Sequence, residues 1–238
     1  MTTLSGSTVV VLGGSSGIGL ATARQARAAG AKVVVTGRDE GRLKAVRDEL
    51  GAATAALDLA DTGGLSRFFA GLPAPVDHVL LSGSGPVYAP ILEMDFEVAR
   101  GSLDAHLLGA LRVARECAGR VRPGGSLTLI SGTGARRPGR GYILAAIGTA
   151  GLAAITTNAA LELAPLRINS VAAGFVDTPL SARLLGDQIE QRREQLRTTL
   201  PIGRVVGPAD VAALILHLMV NDALTGATYD VDGGQQLT

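Results

Sequence analysis

The segment Gly13-Gly14-Ser15-Ser16-Gly17-Ile18-Gly19 closes a β-branched apolar run and opens an alanine-rich stretch of helical spacing. Glycines at such a turn let the chain bend sharply and let a bulky anion reach the backbone. The first amides of a helix lack intrahelical acceptors and lie at the positive end of its dipole, so a phosphate is stabilised there without a basic side chain. Gly13, Ser15, Ser16, Gly17, Ile18 and Gly19 are therefore candidate phosphate ligands; the other reading is a tight connection that holds nothing. Proton chemistry has fewer candidates. Tyrosine occurs only at positions 88, 142 and 229 and lysine only at 32 and 44. Tyr142 follows a basic stretch with Arg136, Arg137 and Arg140, and His106 is of the residue type that titrates near neutrality.

The elements that must position these residues alternate regularly. Strand-like runs fall at Thr8 to Leu12, Lys32 to Thr36, Ala53 to Leu57, Val76 to Leu81, Ser126 to Ser131, Arg167 to Ala172 and Tyr229 to Val231. Helical stretches fall at about Gly17 to Ala29, Glu40 to Leu50, within Phe96 to Gly119, at about Ile143 to Ala164, from Ser181 to Thr199 and from Pro208 to Val220. Strand followed by helix implies parallel pairing with right-handed crossovers. The expectation is one α/β domain over residues 1–238, without a linker or repeat.

Composition excludes several classes of function. A formal net charge of +1 gives no general attraction for nucleic acid or anionic lipid, and the arginines are dispersed. A small-molecule partner is expected instead. Cys117 is the single cysteine, so an intrachain disulfide, a Cys-x-x-Cys pair and zinc-ligand spacing are all lacking. Neither a signal-peptide pattern at Met1 to Ser7 nor an apolar run of membrane-spanning length stands out, and a cytoplasmic protein is expected.

Several ordered pieces resemble one family. Gly13, Gly17 and Gly19 match the Gly-x-x-x-Gly-x-Gly turn of short-chain dehydrogenases/reductases; Asp58-Leu59, Ala173-Gly174-Phe175-Val176-Asp177-Thr178, Gly203-Arg204 and Asp230-Val231-Asp232-Gly233-Gly234 resemble further motifs of that family in its order. The likeness runs nearly end to end. It implies a doubly wound Rossmann-type α/β domain with a mainly parallel seven-stranded sheet and a nicotinamide cofactor beyond the carboxyl ends of the strands. It also implies Asp58 and Leu59 beside the adenine, and Thr178 at the nicotinamide amide or the phosphates. The family's Asn-Asn-Ala-Gly is replaced by Ser82-Gly83-Ser84-Gly85, which keeps Gly85. At the end of the second strand, where an acidic residue would accept from the ribose hydroxyls of NAD, stand Gly37 and then Arg38. A guanidinium there suits a 2′-phosphate and favours NADP(H) over NAD(H), the competing reading being a solvated arginine. The small-residue helices around Leu107 to Ala118 and Gly151 to Ala164 resemble oligomer-forming helices and imply a homodimer or homotetramer.

The resemblance fails at the proton relay. Aligning Gly151-Leu152 and Leu161-Glu162 with the family's helix puts Ala145 at the tyrosine position and Thr149 at the lysine position; the serine position falls near Gly132 and the asparagine position near His106. Both lysines lie near the second strand, so no shift restores a Tyr-x-x-x-Lys pair. Tyr142, about one helical turn before Ala145, and His106 are the remaining candidates for proton transfer, against roles as a packed aromatic and a helix-packing histidine. Two functions stay open. One is an NADP(H)-dependent oxidoreductase acting on a carbonyl or alcohol through a nonstandard proton donor; the other is a catalytically inactive NADP(H)-binding regulatory or structural protein.

Overall fold

A computed structural model describes residues 3–83 and 85–238. Ser84 therefore lies outside the described residues. Seven strands, β1 (Thr8–Leu12), β2 (Lys32–Gly37), β3 (Ala53–Ala56), β4 (Val76–Leu81), β5 (Val121–Gly132), β6 (Arg167–Ala173) and β7 (Thr228–Val231), form one sheet in the order β3-β2-β1-β4-β5-β6-β7. Every pairing is parallel. The fold expected from the sequence is the one observed.

Helices follow the strands as α1 (Gly17–Ala28), α2 (Glu40–Leu50), α3 (Thr62–Ala70), α4 (Phe96–Leu103), α5 (Gly109–Ala118), α6 (Ile143–Glu162), α7 (Pro179–Leu185), α8 (Ile189–Thr199) and α9 (Pro208–Val220). Alternating residues of β1 feed two cores. Val10 and Leu12 join Leu65, Phe69, Val113 and Leu152 from α3, α5 and α6. Val9 and Val11 join Ala23, Val46 and Ile215 from α1, α2 and α9 on the opposite face. Burial on both faces is why these strands read as unbroken apolar runs rather than alternating ones.

Three features depart from the sequence-based expectations. Helix α3 was not foreseen; Asp61 caps it by accepting the Gly64 amide hydrogen at 2.9 Å. The helix expected within Phe96 to Gly119 is divided by a π-helical turn, Asp104–Leu108, into α4 and α5. Helix α6 has 20 residues and a mean hydropathy of 1.5 in its most apolar window, so it is long and apolar enough to cross a membrane by length and composition alone, contrary to expectation. Here it packs against β5, β6 and α5.

Chain order reverses on either side of β1, whose neighbours are β2 and β4. The crevice beyond the carboxyl ends of β1 and β4 is the point where such sheets receive ligands. The loops carrying Gly13, Ser82, Gly85 and Tyr142 all leave strands at that end.

Candidate functional site

The turn between β1 and α1 is fixed by backbone hydrogen bonds. The Gly13 and Gly14 amides donate to the Thr36 carbonyl at 3.1 and 2.9 Å, which draws the turn onto the end of β2. Gly13 has φ of +79°, and a Cβ there would lie 2.0 Å from the Ser82 carbonyl oxygen; a Cβ at Gly19 would lie 2.4 Å from the Gly13 carbonyl oxygen. Only glycine fits either place. Ser16 is the N-cap of α1 and is fully extended, yet its side chain makes no capping hydrogen bond. The first-turn amides of α1 thus have no side-chain acceptor and remain available to an anion.

The other candidates gather around this turn to different degrees. A Cβ on Gly17 would stand 3.5 Å from the side chain of Thr178, so α7 begins beside the turn. Thr178 Oγ1 accepts the Ser181 amide hydrogen at 3.3 Å and caps α7. Gly85 abuts Leu180, whose Cδ1 would lie 2.8 Å from a Cβ at that glycine. Ser15 Oγ packs against Gly37, leaving no room for the acidic side chain an NAD-type site would carry without moving that hydroxyl. Arg38 is exposed and has no ion pair among the described residues, because the next carboxylate, Asp39, caps α2 and pairs with Arg42. Asp58 is exposed and accepts the Ala60 amide hydrogen at 3.0 Å. Ile18 and Leu59 are half-buried and pack into the two cores, so Ile18 could serve an anion only through its backbone.

The residues present fit a dinucleotide: a cradle that side chains would fill, unclaimed helix-start amides above it, and an unpaired guanidinium at the end of β2.

Proton-transfer candidates do not converge. Thr149 Oγ1 accepts the Ala135 amide hydrogen at 2.9 Å and donates to the Ala145 carbonyl at 3.0 Å, with the Ala146 carbonyl at 3.2 Å. Its hydroxyl holds the short turn Gly134–Arg136 against α6 and is not free for a ribose. Gly132 lies against the Thr149 methyl and offers no hydroxyl. His106 sits within the π-helical turn, with Nδ1 2.9 Å from the Ser102 carbonyl, and its ring packs on Gly148 of α6. Tyr142 is six residues earlier, roughly 9 Å along the helix axis, and is half-exposed.

Two of the three guanidiniums before Tyr142 are partnered. Arg136 makes a bidentate pair with Asp230 at 2.8 and 2.5 Å, which holds the Asp230 carboxyl below the usual range. Arg137 donates to the Thr238 backbone oxygen at 3.3 Å. Of the three guanidiniums, Arg140 alone is exposed without a partner among the described residues. Tyr88, to which the sequence reading gives no role, has its ring centroid 4.9 Å from that of Tyr142. Fifty-four residues separate them, and no local pattern announces the pairing.

The segment after β6 is braced as a unit. Arg193 of α8 pairs with Asp177 through two hydrogen bonds of 3.0 and 2.7 Å, and Gln235 Oε1 accepts the Phe175 amide hydrogen at 2.7 Å.

A parallel sheet in this order, a glycine turn at its switch point and the later motifs in sequence define the class: the chain belongs to the short-chain dehydrogenase/reductase family of oxidoreductases. The family model described as Enoyl-(Acyl carrier protein) reductase matches residues 13–236. Among individual proteins, the short-chain dehydrogenase/reductase ATR9 of Stachybotrys chlorohalonatus is 28% identical over 98% of each chain. The solved structure of MalC Reductase/Diels-Alderase from Malbranchea aurantiaca superposes with a TM-score of 0.91 at 27% identity, covering 99% of this chain and 98% of that one. A small-chain dehydrogenase in complex with NADPH superposes with a TM-score of 0.84 at 27% identity, covering 98% of this chain and 99% of that one.

Proposed function

We propose that this protein is an NADP(H)-dependent oxidoreductase acting on a carbonyl or alcohol without the family's tyrosine–lysine relay. The observation that carries the reading is the uncapped glycine turn packed against Gly37, with the exposed Arg38 next in the chain. The amides of α1 and the turn would hold the pyrophosphate, Arg38 the 2′-phosphate, Asp58 and Leu59 the adenine edge, and Thr178 the nicotinamide end or the phosphates. Gly85 would let the loop after β4 pass close to the cofactor. The similarity to a dehydrogenase solved with NADPH supports the choice of cofactor.

When bound, NADPH supplies a hydride; the chain's own part is to bind it, place the acceptor and handle the proton. Tyr142 carries the nearest titratable hydroxyl in sequence to Ala145, and for a carbonyl acceptor the proton would come from it or from water. His106 would act by fixing the π-helical turn against α6. Titrating NADPH and NADH separately, with nicotinamide fluorescence or calorimetry, tests the cofactor assignment: tighter NADPH binding is expected, and tighter NADH binding would overturn it.

A second reading, a protein that binds NADP(H) without turnover, is favoured by Ala145 and by the committed hydroxyl of Thr149. NADPH binding with no oxidation across aldehydes, ketones and quinones would select it. Exposed Leu108 at the end of the π-helical turn, Leu111 on α5, and Ile147 and Leu161 on α6 support self-association as a homodimer or homotetramer. Light scattering that shows only monomer would refute that. A buried, unpaired Cys117 is consistent with a reducing compartment such as the cytoplasm.

A further inference from the structure

The Tyr88–Tyr142 pair bears on which acceptor the site takes, given the NADP(H) reading above. The two rings incline at 40° to one another, and Tyr88 and Tyr142 are 49% and 43% exposed. The Ala89 amide donates to the Gly141 carbonyl at 3.0 Å, which stitches the loop after β4 to the loop before α6. Ile91 and Leu92, three and four residues beyond Tyr88, and Ile143, which follows Tyr142 and opens α6, are exposed as well. Exposed aromatic faces flanked by aliphatic side chains suit a flat, apolar ligand.

The missing relay restricts the chemistry further. Hydride addition to an isolated ketone leaves an alkoxide, about as basic as hydroxide. Such a product needs an acid poised in the site. Ala145 has none, and the Thr149 hydroxyl is engaged at both its donor and its acceptor positions. Hydride addition to a quinone leaves a phenolate-like anion, whose conjugate acid lies near 10. That anion is weaker as a base by roughly a factor of a million. It can take its proton from solvent, and the exposed Arg140 guanidinium, two residues from Tyr142, can stabilise its charge.

We infer that the acceptor is a quinone, a flat conjugated dione that lies on the Tyr88–Tyr142 pair. In the step, a carbon–hydrogen bond of the NADPH nicotinamide breaks and the hydrogen moves with its electron pair to one quinone oxygen. The ring becomes aromatic, the second oxygen takes the negative charge and then a proton from water, and the products are NADP+ and a hydroquinone. Tyr88 and Tyr142 contribute ring faces rather than an acid.

The test uses 2-methyl-1,4-naphthoquinone and, as a ketone of similar size, 1-tetralone, with NADPH oxidation followed against an enzyme-free blank. A kcat/KM at least about 100-fold higher for the quinone is expected; comparable values, or no quinone reduction by protein that binds NADPH, would overturn the inference. A second readout needs no turnover: calorimetric binding of 1-naphthol to the protein saturated with NADP+. Tyr88→Leu and Tyr142→Leu should each weaken it about threefold to tenfold, and Tyr142→Phe should recover what Tyr142→Leu loses. Unchanged naphthol binding in both leucine variants would also overturn it. Failure to bind NADPH at all would instead remove the cofactor reading on which the inference stands.

Discussion

The side chain of Thr149 and the backbone of Ala135 are joined by a 2.9 Å hydrogen bond, and the same hydroxyl donates back to Ala145 one helical turn earlier. The residue that the sequence reading sets at the family's lysine position is therefore a clasp between α6 and the loop that precedes it. Thr149→Val should lower the unfolding free energy by about 0.5–1.5 kcal/mol, because the exposed Ala135 amide exchanges its acceptor for water. The pair Ala145→Tyr with Thr149→Lys should show a similar loss but raise NADPH-dependent reduction of 1-tetralone at least about tenfold. Denaturant unfolding and initial rates on the same preparations check both, and a double variant no faster than its parent would show that more than the relay is missing.

Arg38 should govern cofactor choice. With Arg38→Ala the dissociation constant for NADPH should rise by about tenfold or more, the effect of losing charge-assisted hydrogen bonds, while that for NADH stays nearly constant. Equal weakening of both would point to a general electrostatic effect rather than recognition of a 2′-phosphate.

Two glycines of one turn should respond differently to alanine. At Gly13 the added Cβ meets the Ser82 carbonyl oxygen in a left-handed backbone, so Gly13→Ala should cost about 3 kcal/mol or more and impair folding. At Gly17 the nearest side chain, Thr178, lies at ordinary contact distance, so Gly17→Ala carries chiefly the left-handed penalty of about 1–2 kcal/mol. Thermal unfolding separates the two: a folded Gly17→Ala protein with weakened NADPH binding is expected.

His78 lies buried on β4 with Nδ1 2.9 Å from Ser126 Oγ. Burial pushes its pKa down to about 4, with Arg167 and Arg122 adding to the shift and Asp77 opposing it. In the unfolded chain the imidazole titrates near 6.5. Between these values the unfolded state binds a proton that the folded state does not, so stability falls as pH drops through that window and the His78 contribution levels off below about 4. The expected loss is about 1.4 kcal/mol per pH unit, up to about 3 kcal/mol in all. Urea unfolding of the parent and of His78→Leu with Ser126→Ala, at pH 7.5 and 4.5, should show this part of the slope only in the parent.

Arg167 is buried, and its guanidinium donates to the carbonyls of Gly124, Leu218, Met219, Asn221 and Leu224, closing the end of α9 onto the sheet. Arg167→Met should cost about 3 kcal/mol or more, since several buried carbonyls lose their donor together. Arg167→Lys should rescue little, because an ammonium cannot reproduce the planar fork. A lysine variant as stable as the parent in chemical unfolding would contradict this assignment.

The legible parts of this molecule were those encoded locally. Runs such as Val9-Val10-Val11 and the glycines of the first turn state their conformation within a few residues, and α9 is marked by Pro208 at its start. The π-helical turn was not legible, because Asp104 to Leu108 differs from ordinary helix only in one extra residue per turn. Helix α3 did have a signal, Asp61 before an apolar-spaced stretch, but Gly63 and Gly64 masked it. The site divides in the same way. Its proposed cofactor half follows from one short motif, whereas Tyr88 with Tyr142, Arg136 with Asp230 and Thr149 with Ala135 depend on contacts between residues well apart in the chain. The sequence gives no sign that Arg136 is paired, because its partner lies 94 residues away.

The π-helical turn at Asp104–Leu108 also sets the rotational phase of everything after it. One added residue turns the following helix by about 100° about its own axis, and this offset brings Ala110, Val113, Ala114 and Cys117 onto the buried side. Excising Ala105 would join α4 and α5 into one continuous α-helix. It would also swing that stripe off the sheet, or swing α4 with its buried Ala99 off α6 instead. The stretch thus tolerates changes of side chain far better than a change of length, and a gain or loss of one residue there would reset which surface this protein shows to its neighbours.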